Sequence, residues 1–281
     1  MTALSSQPVP ALEPALLSRA LEVAGRLAND AADVITATAG RDVRPETDES
    51  PFDWVTDTGR TLERHTRRVL AAEFPGVPVI GEESGAGKLP VAASTEYRWV
   101  VDPVDGTINY VAGIPWCSFS LALIDRFGPV VGVVADPYRA QIYAAARGRG
   151  TRANGTPVRL APRADLAGGV VCTELSRGGI WPGMAEFTER AGQARVAVRV
   201  LGSTALAIAQ VALGHAVGAV LHDYEEWDVA GALALAAEAG AVVLDREGRP
   251  RPLPEGGLLV SAPEFAADLL SWWRAEPQPQ R

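Results

Sequence analysis

Residues Trp99–Tyr110 read WVVDPVDGTINY. A short apolar run, Trp99–Val101, ends in two carboxylates three positions apart, Asp102 and Asp105. Pro103 lies between them, and Gly106-Thr107 follows. Charge is costly to bury, so acids at the end of an apolar strand need a cause. In an extended chain, residues three apart point to opposite faces. Both acids therefore face one point only if the chain bends between them. Pro103 fixes φ at that place, and the turn also offers the Val104 carbonyl. Gly106 lets backbone approach a ligand closely. A helix beginning at Thr107 would aim N–H groups at an anion.

Outward from this stretch the chain alternates. Pro14–Ala37 repeats apolar residues at helical spacing, with Leu17, Leu21, Val23, Leu27, Ala31 and Val34 on one side. Thr56–Phe74 predicts a second helix, capped by Asp57 or Thr58, with Leu62, Val69, Leu70 and Phe74 along one face. Short buried strands precede Glu82-Glu83 and Asp102. SFSLALI, PVVGVVAD and QIYAAARG read as antiparallel strands, and Asn154-Gly155 signals a hairpin. Beyond it, short strands and helices alternate to the C-terminus. The pattern predicts an α/β (α+β) layered sandwich with alternating αβαβα layers. It divides into an N-terminal half, 14–155, with most of the acids, and a C-terminal half, 156–274, with Asp228. Residues 1–13 and 275–281 read as a flexible arm and tail.

The 281 residues suit one large α/β domain or two closely packed halves. Lys+Arg is 26 against Asp+Glu 34, a net charge of −8, which argues against a broad nucleic-acid surface. A small anionic substrate remains open, because a bound cation inverts the local field. Cys117 and Cys172 lack CxxC spacing and read as reduced thiols of a cytosolic protein. The N-terminus lacks a basic stretch followed by an apolar one. The longest apolar window, Ala205–Leu221, is interrupted by Gln210, Gly214, His215 and Gly218, and reads as a buried helix turning into a strand. The expectation is a cytoplasmic protein with neither a membrane nor a nucleic acid as partner.

Four carboxylates stand just after an apolar strand or at a helix start: Glu82, Asp102, Asp105 and Asp228. Strand ends opening into loops are where α/β folds build sites. Taken singly, each has a simpler reading. Asp228 caps VAGALALAAEAG, and Glu82-Glu83 is a solvated loop. Converging, they repel unless protonated or neutralised. Oxygen-only ligands point to a hard cation, Mg²⁺ first and Mn²⁺ as a substitute. His65, His215 and His222 show no zinc spacing.

Together with VIGEES at Val79–Ser84 and EWDVAGALALAAEAGAVVLD at Glu226–Asp245, the opening stretch resembles the inositol monophosphatase family. The resemblance runs from about Pro14 to Trp273, with weaker matches at Asp53–Gly59, Cys172–Leu175 and Val200–Gly214. The D-P-V-D-G-T spacing separates it from the D-x-D-G-T of haloacid dehalogenase-type phosphatases, whose first Asp is a nucleophile. The resemblance implies the sugar-phosphatase fold, a homodimer, and Mg²⁺-dependent hydrolysis of a small phosphorylated metabolite. Myo-inositol 1-phosphate is the first candidate. Histidinol phosphate, fructose 1,6-bisphosphate and 3′-phosphoadenosine 5′-phosphate are alternatives, as is a weakly active metal- or sugar-phosphate-binding role.

The resemblance also implies two or three Mg²⁺ ions. Glu82, Asp102 and the Val104 carbonyl would hold the first, and Asp102, Asp105 and Asp228 the second, with Glu82 reaching a third. Glu82 and Thr107 would orient the attacking water, with Asp105 beside them in catalysis. Gly106 and Thr107 would give N–H groups to the phosphate. Gly202, Ser203, Thr204 and Ser176 would line the alcohol side.

Two positions depart from the family. Gly59 stands where an Asp usually supports the catalytic threonine, and Asp57 is two residues away. Leu221 stands where many members carry an inositol-binding Glu, with His222, Asp223, Glu225 and Glu226 nearby. The expectation is retained phosphatase activity, with Glu225 and Glu226 solvated, and a gain in activity on Gly59→Asp would show that the missing relay matters.

Overall fold

A computed structural model describes residues 13–41, 46–47, 54–83, 96–176 and 179–274. The expected tail, the arm up to residue 12 and most of the polar loop before Trp54 lie outside the described residues. Helix α1 (Pro14–Thr38) has Pro14 in its first turn and buries Leu17, Val23, Leu27, Ala31 and Ile35. Strands β1 (Glu46–Thr47) and β2 (Trp54–Val55) pair antiparallel. Helix α2 (Asp57–Glu73) follows Thr56, whose Oγ1 accepts from the Gly59 N–H at 3.0 Å. The cap is therefore Thr56, not Asp57 or Thr58. Thr56 has the extended backbone that brings a side-chain oxygen over the first turn, while the other two are already helical.

Seven strands then form one sheet in chain order: β3 (Val79–Gly81), β4 (Tyr97–Asp105), β5 (Ser118–Asp125), β6 (Gly128–Asp136), β7 (Gln141–Ala146), β8 (Gly150–Ala153) and β9 (Thr156–Val158). Only β3 and β4 run parallel. Helix α3 (Thr107–Ala112) separates β4 from β5. Asn154 and Gly155 join β8 to β9 with φ of 44° and 81°, the left-handed pair that a tight type I′ hairpin demands. The sheet of the first half thus runs past residue 155 to Val158.

The rest alternates: β10 (Val170–Thr173), α4 (Met184–Gln193), β11 (Ala197–Val200), α5 (Thr204–Ala212), β12 (Gly218–Leu221), α6 (Glu226–Ala239), β13 (Val242–Leu244), β14 (Leu258–Ser261) and α7 (Ala266–Trp273). The second sheet has the order β11-β10-β12-β14-β13. Strands β11, β10 and β12 are parallel, and β14 is antiparallel to both its neighbours.

Strand alternation sorts side chains into layers. Val133 packs with α1 and α2, whereas Val134 packs with α5 and α6. Leu258 and Val260 face α5 and α6, whereas Leu259 faces α4 and α7. The layers are helix, sheet, helix, sheet, helix, as the αβαβα expectation states. Helices α5 and α6 lie between the sheets and are apolar nearly all round. Helix α6 approaches the first sheet at glycines. A Cβ on Gly132 would stand 2.6 Å from Ala234 Cβ, and one on Gly231 would stand 2.5 Å from Ser120 Oγ. Among the described residues, no helix is long and apolar enough to cross a membrane.

Candidate active site

The bend between Asp102 and Asp105 is a β-bulge. Asp102 pairs with Ser120 and Asp105 with Ser118, and the register shifts between them. Three steps on β4 match two on β5, so one residue is extra and both acids return to the same face. The Asp102 carboxylate accepts from the Val104 N–H at 3.0 Å, which holds the bulge closed. Gly106 follows with φ of 86° and starts α3. A Cβ there would lie 2.7 Å from the Gly202 carbonyl and 3.2 Å from the Trp116 carbonyl, so only glycine fits. The Thr107 hydroxyl donates to the Val104 carbonyl at 2.9 Å.

Asp105 is buried and surrounded by donors. The Ser118 hydroxyl reaches it at 2.8 Å, the Thr204 N–H at 2.9 Å and the Ala205 N–H at 3.1 Å, and the Ser203 hydroxyl also donates to it. These contacts fix the start of α5, from the second half, to the end of β4. Ser203 also caps α5, accepting from the Leu206 N–H at 3.3 Å. The turn before it is held by Glu174, which accepts from the Gly202 N–H at 2.8 Å and the Leu201 N–H at 3.4 Å. Asn109 closes the other side, donating to the Leu201 carbonyl at 2.7 Å and the Trp116 carbonyl at 2.8 Å. Sequence reasoning missed Glu174, Ser118 and Asn109 as positioning groups. The signal for Glu174 was there, an acid ending the apolar run VVCT like the others.

Asp228 lies in the first turn of α6 and accepts from the Glu225 N–H at 2.8 Å, so it closes a helix start and faces the acids together. Burial, then the charge of Asp228, pushes Glu82 well above the usual carboxylate range, while a hydrogen bond with Asp102 opposes the shift. Asp102 is pushed well up by burial and by Glu82, Asp105 and Asp228. Burial raises Asp105, and its serine and backbone donors hold it back. Burial takes Asp228 up to about 7, and Asp105 adds to this. Glu174 is also raised to about 7, by burial first.

The family profile "Inositol monophosphatase family" matches residues 16–276. The chain belongs to the inositol monophosphatase family. It is a phosphoric monoester hydrolase by family and fold. It is 35% identical over 237 residues to an inositol-1-monophosphatase of Rhizobium meliloti, covering 83% of this chain and 87% of that protein. It is 33% identical over 256 residues to the Nus factor SuhB of Pasteurella multocida, covering 89% and 94%. The solved structure of Thermotoga maritima IMPase matches with a TM-score of 0.80 at 26% identity, covering 90% of this chain and 96% of that one.

The donor set fits a hard divalent cation in kind. It is all oxygen, with Asp102 and Asp105 buried and Glu82 and Asp228 half-buried, and made of charges whose repulsion only a proton or a cation relieves. Among the described residues, no three His, Cys, Asp or Glu side chains stand together as a ready metal cage. Asp105 and Asp228 are turned toward N–H and O–H donors, and Glu82 shares a hydrogen bond with Asp102.

The family's alcohol side looks different here. Leu221 is 1% exposed and packs into the core between the sheets. His222 stacks on Trp181, with ring centroids 5.6 Å apart and planes 4° off parallel. The Ser176 hydroxyl donates to Asp223 at 3.4 Å. Glu226 is not a solvated acid, because it forms an ion pair with Arg98. Glu225 is exposed.

Gly59 lies against the Glu83 side chain. A Cβ there would overlap Glu83 Oε1 and lie 2.8 Å from Glu83 Cδ. An Asp at residue 59 would require the Glu83 carboxylate to move aside.

Proposed function

We propose that the protein hydrolyses a small phosphate monoester with divalent metal, Mg²⁺ first and Mn²⁺ as a substitute, with myo-inositol 1-phosphate the first substrate to test. One observation carries this reading. Four carboxylates, Glu82, Asp102, Asp105 and Asp228, are all raised by burial, and the charges of neighbouring members raise Glu82, Asp102 and Asp228 further, in a chain of this family. These groups, with the Val104 carbonyl, would hold the metal. When bound, such ions neutralise the phosphate, lower the pKa of a water and stabilise the leaving oxygen.

The chain's own residues supply the positioning. Thr107 commits its proton to the Val104 carbonyl, leaving lone pairs on its oxygen to accept from the attacking water. Glu82 orients that water from the opposite side. The backbone N–H groups of Gly106 and Thr107 receive phosphate oxygens. Ser203 and Thr204 hold Asp105, while Gly202 and Ser176 border the alcohol side. Phosphoryl transfer of this kind relies on positioning and electrostatics, without a covalent enzyme intermediate. Leu221 offers no carboxylate to a polyol, which keeps histidinol phosphate and fructose 1,6-bisphosphate in the panel. The same reading includes a cytoplasmic homodimer, testable by fractionation and light scattering.

The test is phosphate release from a panel of monoesters with and without Mg²⁺, beside Asp105→Asn. Mg²⁺-dependent release that the variant lacks is the expected result. No release from any ester contradicts the reading. It would favour a binding role, for which the likeness to a Nus factor is the supporting observation.

A further inference from the structure

The Leu201–Gly202 peptide is held at both ends by side chains from different halves of the chain. Its carbonyl accepts from Asn109 Nδ2 at 2.7 Å, and its N–H donates to the Glu174 carboxylate at 2.8 Å. A peptide unit is a rigid plane, so bonds on its two opposite edges fix its tilt. Unheld, this plane would turn easily, because Gly202, with φ of 82°, has no Cβ to restrain it. Asn109 is itself fixed. Its second amide hydrogen goes to the Trp116 carbonyl at 2.8 Å, and its main-chain carbonyl accepts from the Ile114 N–H at 2.8 Å. Turned round, the amide would set its oxygen against two carbonyl oxygens, so only this orientation bonds. The backbones close in around it. A Cβ on Gly202 would stand 2.8 Å from Asn109 Nδ2, and one on Gly106 would stand 2.7 Å from the Gly202 carbonyl. Two left-handed glycines, one from each half, thus let two turns touch with the Asn109 amide wedged beside them.

These are the two turns that a phosphate ester would bridge, with its phosphate at Gly106-Thr107 and its alcohol at Gly202–Thr204. The phosphate turn has holds of its own. The Thr107 hydroxyl donates to the Val104 carbonyl at 2.9 Å, and the Tyr110 N–H to the Gly106 carbonyl at 3.0 Å. In the alcohol turn, the Gly202 and Thr204 N–H groups and the Ser203 hydroxyl are spent on Glu174 and Asp105. Among the described residues the Thr204 hydroxyl has no partner, which leaves it to meet a hydroxyl of the alcohol. Where that hydroxyl stands depends on the peptide that Asn109 pins.

We propose that Asn109 is a positioning residue for the alcohol part of the substrate. By pinning the Leu201–Gly202 peptide, it sets the distance from the phosphate turn to the alcohol turn. This rests on the phosphatase reading given under Proposed function.

The test is steady-state kinetics of the full chain with Mg²⁺ and the best ester of the panel, beside inhibition by inorganic phosphate, which occupies the phosphate side alone. Melting curves give the folded fraction of each variant. Asn109→Ala removes the brace. Asn109→Asp keeps its shape but sets a carboxylate against two carbonyls. In both, KM should rise about tenfold, equivalent to about 1.4 kcal/mol, while the inhibition constant of inorganic phosphate stays within about twofold of wild type. The kcat per folded molecule should change less than KM, as when binding shared by ground and transition states is lost.

A wild-type KM in Asn109→Asp would overturn the proposal, because side-chain shape alone would then suffice. A fall confined to kcat, or phosphate inhibition weakened as much as KM, would also overturn it, since Asn109 would then act on the reaction step or on the phosphate turn. Loss of the fold in both variants would leave a purely structural brace and overturn it too. If the wild type hydrolyses an ester with Mg²⁺ and the variants match it, this proposal fails and the phosphatase reading stands. A wild type that hydrolyses no ester overturns both.

Discussion

Both oxygens of Asp105 are taken by donors from two distant parts of the chain, Ser118 on β5 and residues 203–205 at the start of α5. Ser203 serves twice, donating to Asp105 and capping α5. Ser203→Ala should cost about 1–2 kcal/mol in urea unfolding, the scale of a lost cap, and should also lower phosphate release by loosening Asp105. Unchanged stability and activity would count against this role. Glu174→Ala frees two N–H groups of the same turn. It should cost about 1 kcal/mol, the net scale of hydrogen bonds that water can replace, and weaken the Mg²⁺ response through Asp105. Asp102, Asp105 and Asp228 were legible because each follows a local pattern of apolar run, acid and turn or helix. Of their supporting groups, only Glu174 carried a similar local signal. Ser203 and Asp105 are 98 positions apart, and nothing local in CTEL or GSTAL shows that Glu174 and Ser203 brace one turn.

At the scale of elements, the alternation of apolar runs gave the strands and helices nearly to their ends, because layered packing imposes a period of two on strands and 3.6 on helices. The bulge in β4 was less accessible. A three-residue spacing with a proline fits a turn or a bulge equally, and only pairing with Ser118 and Ser120 decides between them. The close passage of α6 over β6 was also hidden, since Gly132 within PVVGVVAD carries no mark of what crosses it. Gly132→Ala should push α6, and with it Asp228, away from the sheet. The expected penalty is about 1–3 kcal/mol, typical of overpacking. Mg²⁺-dependent activity should fall further than stability alone explains, as a urea series paired with assays on fully folded protein will show.

For the whole molecule, the proposed site draws its acids from the first sheet and from helix α6 between the sheets. Glu82, Asp102 and Asp105 follow or end strands of the first sheet, and Asp228 and Ser203 stand at the starts of the helices α6 and α5 between the sheets. Its four carboxyls have folded pKa values above their unfolded ones. The unfolded chain therefore ionises first as pH rises. Stability should fall as pH rises from about 4, for Asp228 through its value near 7. Chelated protein should melt lower at about pH 8 than at about pH 6, and Mg²⁺ should raise the melting temperature more at the higher pH. A chelated protein whose melting temperature rises across that range would contradict the charge assignment.

The most direct measurement is calorimetric Mg²⁺ binding at about pH 6.5 in buffers of different ionisation enthalpy, which counts the protons that binding displaces. Asp228, raised to about 7 by burial first, must lose its proton to accept a cation. The account predicts saturable binding with net proton release, both abolished in Asp102→Asn. Binding without proton release, or unchanged binding in Asp102→Asn, would contradict it.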